Sequence, residues 1–382
     1  MRKYLVKVAL DHFALGLTIP ITVIWQLSRG GTLFQVSVVV AIITAVALIT
    51  DLPTGIFADK YGRKLSLIVG TIALGVSFIL LGLASNFLNF CIYALLNGLG
   101  WSLLSGAEEA YVFETAEQLK STYKRSISNV YITDEVATIV GLGTGALITS
   151  LAGLQKTIFV AAIALMLAAL LSVYLLDEPK KHKSTQATDK KHIFEHTVNF
   201  FKKNSSYGLI MVLFAIYYEG GRFLWQPQLI NSGLKIYELG LVYAGFKLFS
   251  ITGSFLAKHH NFKEYKTPLA LAGIMLAGSF VLISDSAMGI VIAGFCIYSF
   301  AENYTRILQS DFLNKAITKG RASILSLNNT VRNTYSAALT PILGIAILNK
   351  AYRGFIFLAV IQIVAALLIT VALRSRPTIK GA

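Results

Sequence analysis

The chain has 382 residues, of which 55% are hydrophobic and 14% are charged, and its mean hydropathy is +0.65. A soluble domain carries roughly 25% charged residues, so this composition excludes a water-soluble protein and indicates a polytopic membrane protein. The formal net charge of +15 does not indicate nucleic-acid binding, because the basic residues cluster between apolar segments on one side.

Apolar segments of about 20 residues recur along the whole chain, and each is long enough to cross a hydrocarbon core of about 30 Å. They predict twelve membrane-spanning helices, near 5–26, 34–57, 66–84, 88–108, 128–150, 156–176, 207–230, 237–257, 268–284, 287–307, 322–347 and 354–373. Cys91 and Cys296 both lie in such segments, so neither a disulfide nor a metal site is expected from them.

Lysine and arginine are distributed unequally between the two faces of the predicted bundle. With a cytoplasmic N-terminus, and with Lys7 counted on the inner face, the ratio between the inner and outer faces is about 25 to 5, which agrees with the positive-inside rule. The sequence therefore predicts a multi-pass protein of the bacterial cytoplasmic membrane with both termini in the cytoplasm.

A single long polar stretch divides the predicted helices into two groups of six. The halves also echo each other, because Ala107-Glu108-Glu109 resembles Ala301-Glu302-Asn303 at an offset of about 194 residues, as in transporters built from parallel repeats. The expected fold class is an all-α membrane protein with two pseudo-symmetric six-helix bundles. The predicted domains are bundles at 1–176 and 207–374, a cytoplasmic linker at 177–206 and a tail at 375–382.

The link between the second and third spans reads Asp51-Leu-Pro-Thr-Gly-Ile-Phe-Ala-Asp-Lys-Tyr-Gly-Arg-Lys64. It resembles the loop 2–3 signature of the major facilitator superfamily, with matches at Gly55, Asp59, Lys60, Gly62, Arg63 and Lys64. The resemblance implies twelve helices, transport by alternating access, and a conformational latch between helices 2 and 11. Asp51 is expected to join this latch, with a carboxylate near the end of helix 4, for which Glu108, Glu109 and Glu114 are the candidates.

Two further stretches, Glu108-Glu109-Ala-Tyr and Glu219 to Pro227, are similar to a group of Gram-positive facilitators described as drug exporters. Two marks of proton antiport in that group are incomplete here. The helix 4 stretch at 94–100 keeps its glycines but lacks the arginine, and the glycines at 141–145 have no proline beside them.

An ionisable residue inside a spanning helix is costly and by default indicates a functional site. Glu219 and Arg222 lie near mid-bilayer, one turn apart on the same face, with Tyr218 and Trp225 beside them. We expect these four residues to line a central cavity. The competing interpretation is a pair that only neutralises itself.

Other ionisable residues predict further positions around the same cavity. The set expected inside the N-terminal spans is entirely acidic, and Asp11 is expected as an isolated carboxylate that titrates with a coupled proton. Asp11 also fits a charge at the cytoplasmic boundary. Asp134, Lys247 and Arg332 are expected on the inner half of the cavity, with a structural role equally open.

The sequence as a whole predicts a secondary active transporter that exports amphipathic or cationic compounds with proton coupling. An importer of a nutrient anion or sugar is the alternative, and a membrane sensor or enzyme is a remote one. No nucleotide-binding motif, cofactor or metal site is expected. The expected partners are a small-molecule substrate, protons and the lipid bilayer, with no nucleic acid, and the expected state is a monomer.

Overall fold

The computed structural model describes residues 1–120, 123–179, 224–259, 266–285, 287–316, 340–345 and 351–374, with single positions at 334, 337 and 338. The chain divides into two compact units. The first comprises Met1–Ser184 and Leu234–Ala244, and the second comprises Thr185–Gly233 and Gly245–Ala382. The described elements are helices, apart from turns and short links.

The first unit contains seven long or short α-helices in chain order before residue 179. They are α1 (Arg2–Thr18), α2 (Thr22–Ser28), α3 (Leu33–Tyr61), α4 (Arg63–Leu83), α5 (Phe87–Gln118), α6 (Tyr123–Ala152) and α7 (Leu154–Leu175). Among the described residues, six stretches of these helices are long and apolar enough to cross a membrane. Each overlaps one of the first six predicted spans.

The first predicted span differs from the expectation, because it is broken into α1 and α2 at Ile19–Ile21. Pro20 lies in this break. A proline has no backbone N–H and its ring collides with the preceding turn, so a continuous helix is unfavourable there. The indole Nε1 of Trp25 in α2 donates to the carbonyl oxygen of Leu81 at 2.7 Å, which fixes α2 against the end of α4.

The helices of the first unit pack in two connected groups, with α1 against α6 and α7, and with α5 against α3 and α4; α4 also packs on α7. Close contact between α1 and α6 depends on glycines. A Cβ added at Gly16 would lie 2.6 Å from the carbonyl oxygen of Thr138, and one added at Gly141 would meet the carbonyl oxygen of Phe13. Small residues thus allow the two backbones to touch, as is common between membrane helices.

In the second unit, a helix at 224–231 is followed by the long helices α8 (Leu239–His259), α9 (Lys266–Ile283), α10 (Met288–Ala316) and α11 (Ala351–Arg374). The first residues of α8 belong to the first unit. Within the second unit α9 packs against α10 and α11, and an aromatic core joins them. The ring centroid of Phe355 lies 6.1 Å from that of Phe280 and 5.7 Å from that of Phe295.

Because α1 and α6 touch at glycines, adding a side chain at one of these glycines should lower the stability of the protein. Gly141→Ala should lower the free energy of unfolding by about 1–3 kcal/mol, because the new methyl group must displace backbone atoms of α1. Gly143→Ala is the matched control, since a Cβ at Gly143 meets no atom within 4 Å. Denaturant unfolding of the detergent-solubilised protein measures both. Equal stability of the two variants would contradict this account of the packing.

Candidate functional site

A fully buried lysine forms the centre of a charged cluster inside the first unit. Lys7 has no exposed surface, and its Nζ lies 2.7 Å from Oδ2 of Asp11 and 3.6 Å from Oε1 of Glu108. The same Asp11 oxygen accepts a hydrogen bond from Thr71 at 3.2 Å. The Lys7 ammonium group therefore joins α1 to Glu108 of α5. Asp11, its partner four residues later on α1, is held by Thr71 of α4.

Hydrogen bonding within this cluster is incomplete. Lys7 Nζ meets its two carboxylates as an ion pair, and Asp11 Oδ1 and the Tyr4 hydroxyl are buried without a hydrogen-bond partner. The Tyr4 ring stacks on Tyr111 of α5, with centroids 4.7 Å apart. The cluster is thus held by charge and ring packing rather than by a saturated hydrogen-bond network.

These contacts correct two sequence predictions. Asp11 is not isolated, because Lys7 lies one helical turn before it and pairs with it. Lys7 was assigned to the cytoplasmic face, and the N-terminal intramembrane set was therefore expected to be entirely acidic. Burial of Lys7 inside α1 makes that set mixed. The error has a simple origin, since a lysine seven residues from a terminus is typical of a membrane boundary.

A contact between a histidine and a carboxylate, which the sequence analysis missed, links α1 to α6. His12 Nδ1 lies 2.5 Å from Asp134 Oδ1, and the side chains are 22% and 30% exposed. Thr138, one turn further along α6, donates a hydrogen bond to the same oxygen at 3.2 Å. Asp134 was expected at a cavity, and the structure adds His12 as its partner. A signal was available, because His12 follows Asp11 directly in a spanning helix.

The link between α3 and α4 is a single residue, Gly62, with φ of 109°. Such a backbone conformation strains any residue that carries a Cβ. Because α3 runs to Tyr61, Asp59 lies in its last turn, and its Oδ1 is 2.5 Å from Nη2 of Arg63. Arg63 Nε also lies 3.6 Å from Oε1 of Glu114 on α5. The latch signature therefore forms a three-residue ion cluster.

The residues just after α7 close over this link. The Glu178 carboxylate accepts hydrogen bonds from the backbone N–H groups of Arg63 at 2.7 Å and Lys64 at 2.9 Å. These are the first two residues of α4, where unpaired N–H groups and the helix dipole favour an anion. A Cβ on Gly62 would lie within 2.8 Å of all three atoms of that carboxylate group. The φ of Gly62 is what requires a glycine, because the Glu178 carboxylate is the end of a flexible side chain and can move aside.

Asp177 fixes the same segment at a second point. Its carboxylate is 3.0 Å from Lys3 Nζ, and its carbonyl oxygen accepts a hydrogen bond from the Tyr111 hydroxyl at 3.0 Å. The Lys3 ammonium group, which hydrogen-bonds the Asp177 carboxylate, lowers its pKa below the ordinary value. This exposed pair contributes little to stability, whereas the Tyr111 bond connects the segment to the buried cluster through Tyr4.

The remaining latch residues are placed differently from one another. Glu108 contacts Lys7, so the prediction that it joins the latch is corrected. The carboxylate that lies beside Arg63 is that of Glu114, further along α5. Asp51 accepts a hydrogen bond from Ser105 at 3.4 Å and lies about 12 Å along α3 from Asp59 at 1.5 Å per residue. The Lys60 ammonium group lies 5.1 Å from the centre of the Tyr61 ring. Lys64 donates a hydrogen bond to the carbonyl oxygen of Val173. A Cβ added at Gly55 would meet no atom within 4 Å.

Several predicted residues of the C-terminal half lie outside the described residues, namely Tyr218, Glu219, Arg222 and Arg332, as does most of predicted helix 11. Trp225 is described and is only 5% exposed. Its place at the central cavity stays a prediction. Lys247 lies half-buried in α8. Within the described part of the chain, no group of three His, Cys, Asp or Glu residues is arranged to hold a metal ion.

The family profile of the Major Facilitator Superfamily matches residues 8–341. The chain belongs to this superfamily. Transporters of known structure share its fold. The nucleoside transporter NupG superposes with a TM-score of 0.80 at 12% identity, covering 98% of this chain and 99% of the other. A bacterial homologue of the lysosomal transporter Spinster gives a TM-score of 0.77 at 12% identity, covering 97% and 96%.

Curated relatives are similar at low identity. An uncharacterised transporter of this superfamily from Methanocaldococcus jannaschii is 22% identical over 325 residues, covering 85% of this chain and 78% of the relative. Multidrug resistance proteins 2 and 1 of Bacillus subtilis are each 26% identical, over 62% and 48% of this chain. The matches span 52% and 46% of those two proteins, about half of their length.

The family settles the general class of activity. The protein is a multi-pass membrane transporter of the major facilitator fold that carries a small-molecule substrate, and it is not an enzyme. The predictions of fold class, superfamily and transport are confirmed. The twelve-helix count, the domain boundaries and the sidedness of the termini stay predictions.

The Lys7 cluster predicts that a single substitution lowers the free energy of unfolding much more than a double substitution does. Lys7→Met should lower the free energy of unfolding by about 3–5 kcal/mol, because it leaves buried Asp11 without a counter-charge. Lys7→Met combined with Asp11→Leu should recover most of that loss. Denaturant unfolding of the purified protein measures the effect.

Lys3→Met is the matched control for the same assay. Lys3 is exposed and pairs with exposed Asp177, so its loss should cost no more than about 1 kcal/mol. A double variant that is less stable than Lys7→Met would show that the buried pair does not act through charge compensation.

Proposed function

We propose that the protein exports amphipathic or cationic compounds in exchange for protons. One observation carries this proposal: three carboxylates of the first unit, on α3, α5 and α6, are at least partly exposed, whereas its interior lysine is not. Asp51 is exposed, and Glu108 and Asp134 are 33% and 30% exposed at the side chain, whereas Lys7 has no exposed surface. A solute that approaches these groups therefore meets negative charge, which attracts cations.

The relatives support the same direction of transport. Two of the similar proteins are named multidrug resistance proteins, and the accessible carboxylates of this chain are consistent with expulsion of cationic compounds. The likeness to the nucleoside transporter NupG is a likeness of fold at 12% identity. The alternative, import of an anion or sugar, would place the basic residues of the C-terminal half, such as Lys247, at the substrate.

Transport by proteoliposomes tests the proposal, with ethidium as the amphipathic cation. We expect an acidic lumen to drive ethidium uptake, because protons leaving the vesicle exchange for the cation. A symporter would accumulate its substrate with the opposite gradient, acidic outside. Vesicles without protein provide the control. Uptake that is unchanged when the gradient is collapsed would exclude proton exchange as the driving reaction.

We further propose that Asp59, Arg63 and Glu114 form a conformational latch and do not bind substrate. Their ion pairs connect the end of α3, the start of α4 and the end of α5. A change in these contacts therefore acts on the positions of three helices and biases the equilibrium between global states. Asp59→Asn should reduce ethidium transport by about tenfold, while ethidium affinity stays within about twofold.

Asp177→Asn is the matched control for the latch test. It neutralises another carboxylate at the same end of the unit, one that is 81% exposed and pairs only with the Lys3 ammonium among the described side chains. Transport should remain near the wild-type rate. If Asp59→Asn abolishes equilibrium binding of ethidium while its thermal unfolding is normal, the assignment to a latch is wrong.

A further inference from the structure

We infer that the surface between α1 and α6 binds an anionic phospholipid, with one acyl chain in an apolar groove and the phosphate at Arg2 and Arg125. The inference goes beyond the proposed function and does not rest on it, because it concerns a lipid that stays bound and not the transported solute. It is carried by the lining of the groove, by the parallel course of the two helices and by the positions of the two arginines.

The α1–α6 groove is an open channel of about 480 Å³ on the surface of the first unit. Ala9 and Phe13 of α1 form one wall, and the other wall is formed by residues of α6, namely Ile132, Thr133, Val136, Ala137 and Val140. Thr133 is the polar residue of this lining, and the rest is apolar. The groove therefore offers hydrocarbon contacts to an acyl chain and offers little to a polar solute.

The exposed apolar face of α6 continues beyond the groove. Ile132, Val136, Val140, Leu147 and Leu151 are each more than half exposed, and they follow one another in steps of four or seven residues, which keeps them on one helix face. From Ile132 to Leu151 this face extends about 29 Å at 1.5 Å per residue, close to the hydrocarbon thickness of about 30 Å. A face of that length suits lipid chains better than a compact solute.

The two helices run in the same direction, with their first residues side by side. His12 of α1 contacts Asp134 of α6, and one turn later the backbone of Gly16 lies against that of Thr138. The sequence offset between the contacting residues is 122 in both cases. Residues near the start of α1 are therefore level with residues near the start of α6.

Two arginines occupy these starts, each two turns before the groove. Arg2 is the first residue of α1 and is exposed, and Arg125 is the third residue of α6. Their offset of 123 residues places them at the same level. Arg2 precedes Ala9 by seven residues, and Arg125 precedes Ile132 by seven. Because seven residues make almost two turns, each arginine shares a helix face with a groove residue about 10 Å further along.

This combination of charge and apolar surface matches one molecule. A guanidinium group binds phosphate oxygens in pairs, and a phospholipid carries its phosphate at one end of its chains. Lys120 at the end of α5 is exposed, and Lys124 precedes Arg125, so the basic groups here outnumber acidic Glu117. Lys3 already contacts Asp177. Basic residues between membrane helices attract anionic headgroups, whereas a zwitterionic headgroup also brings a cation, which they repel.

Native mass spectrometry of the full-length protein in detergent tests the inference. Dioleoyl phosphatidylglycerol is the anionic probe, and dioleoyl phosphatidylcholine is the zwitterionic one. We expect wild type to bind phosphatidylglycerol about tenfold more tightly, as two basic groups at a headgroup provide. Arg2→Gln combined with Arg125→Gln should remove this preference, and Arg2→Lys combined with Arg125→Lys should keep most of it. Arg353→Gln, at an exposed position of α11, is the matched control and should leave it unchanged.

The groove is tested separately with Val136→Trp, which places a large side chain among the lining residues. It should weaken the binding of both lipids by about fivefold, because it removes the apolar surface that the chain covers. Ile163→Trp is the matched control, since Ile163 is an exposed apolar residue of α7 outside the groove. Glycerol 3-phosphate, which has the phosphate without chains, should not bind at concentrations that saturate the lipid site.

Several results would overturn the inference. They are equal binding of the two lipids by wild type, a full preference in the Arg2→Gln and Arg125→Gln double variant, unchanged binding by Val136→Trp, and glycerol 3-phosphate binding as tight as that of the lipid. Displacement of the bound lipid by ethidium would assign the groove to the solute instead. Thermal unfolding shows that each variant is folded. Failure of the proposed export appears in the proteoliposome assay alone, because lipid binding is measured without transport.

Discussion

An ammonium group without any exposed surface constrains the first unit more than any other single group. Burying an unpaired charge costs several kcal/mol even after relaxation, so the Lys7 side chain requires its carboxylates to be present and close. Asp11 comes from the same helix, and Glu108 brings α5 to α1. Thr71 then ties Asp11 to α4. One charge thereby holds α1, α4 and α5 in register.

The helix α5 connects this cluster to the single-residue link between α3 and α4. It carries Glu108 at Lys7 and Glu114 at Arg63, about 9 Å apart along the helix at 1.5 Å per residue. Tyr111, between them, stacks on Tyr4 and donates to Asp177. A shift of α5 therefore acts on the buried cluster, on Arg63 at the start of α4 and on the segment after α7 together. Packed helices change position in discrete steps, so these contacts belong to one mechanical unit.

Sequence patterns predicted the features that depend on local composition. Apolar length gave the six spans of the first unit, and the signature at 55–64 indicated the link between α3 and α4. The ion pair of Asp59 with Arg63 was not predicted. Contacts between distant helices were not available from spacing. Glu114 was one of three candidates for Arg63, and only the path of α5 distinguishes it from Glu108. Lys7 was misplaced because its position near the N-terminus suggested solvent, and Glu178 at the start of α4 was not predicted.

The two charged pairs of α1 differ in what they can contribute to transport. Lys7 and Asp11 are 0% and 3% exposed, so exchanging an ion there would first require the helices around them to separate. His12, which directly follows Asp11 on α1, and Asp134 on α6 are partly exposed. The second pair is therefore open to a solute, while the buried pair beside it keeps the helices assembled.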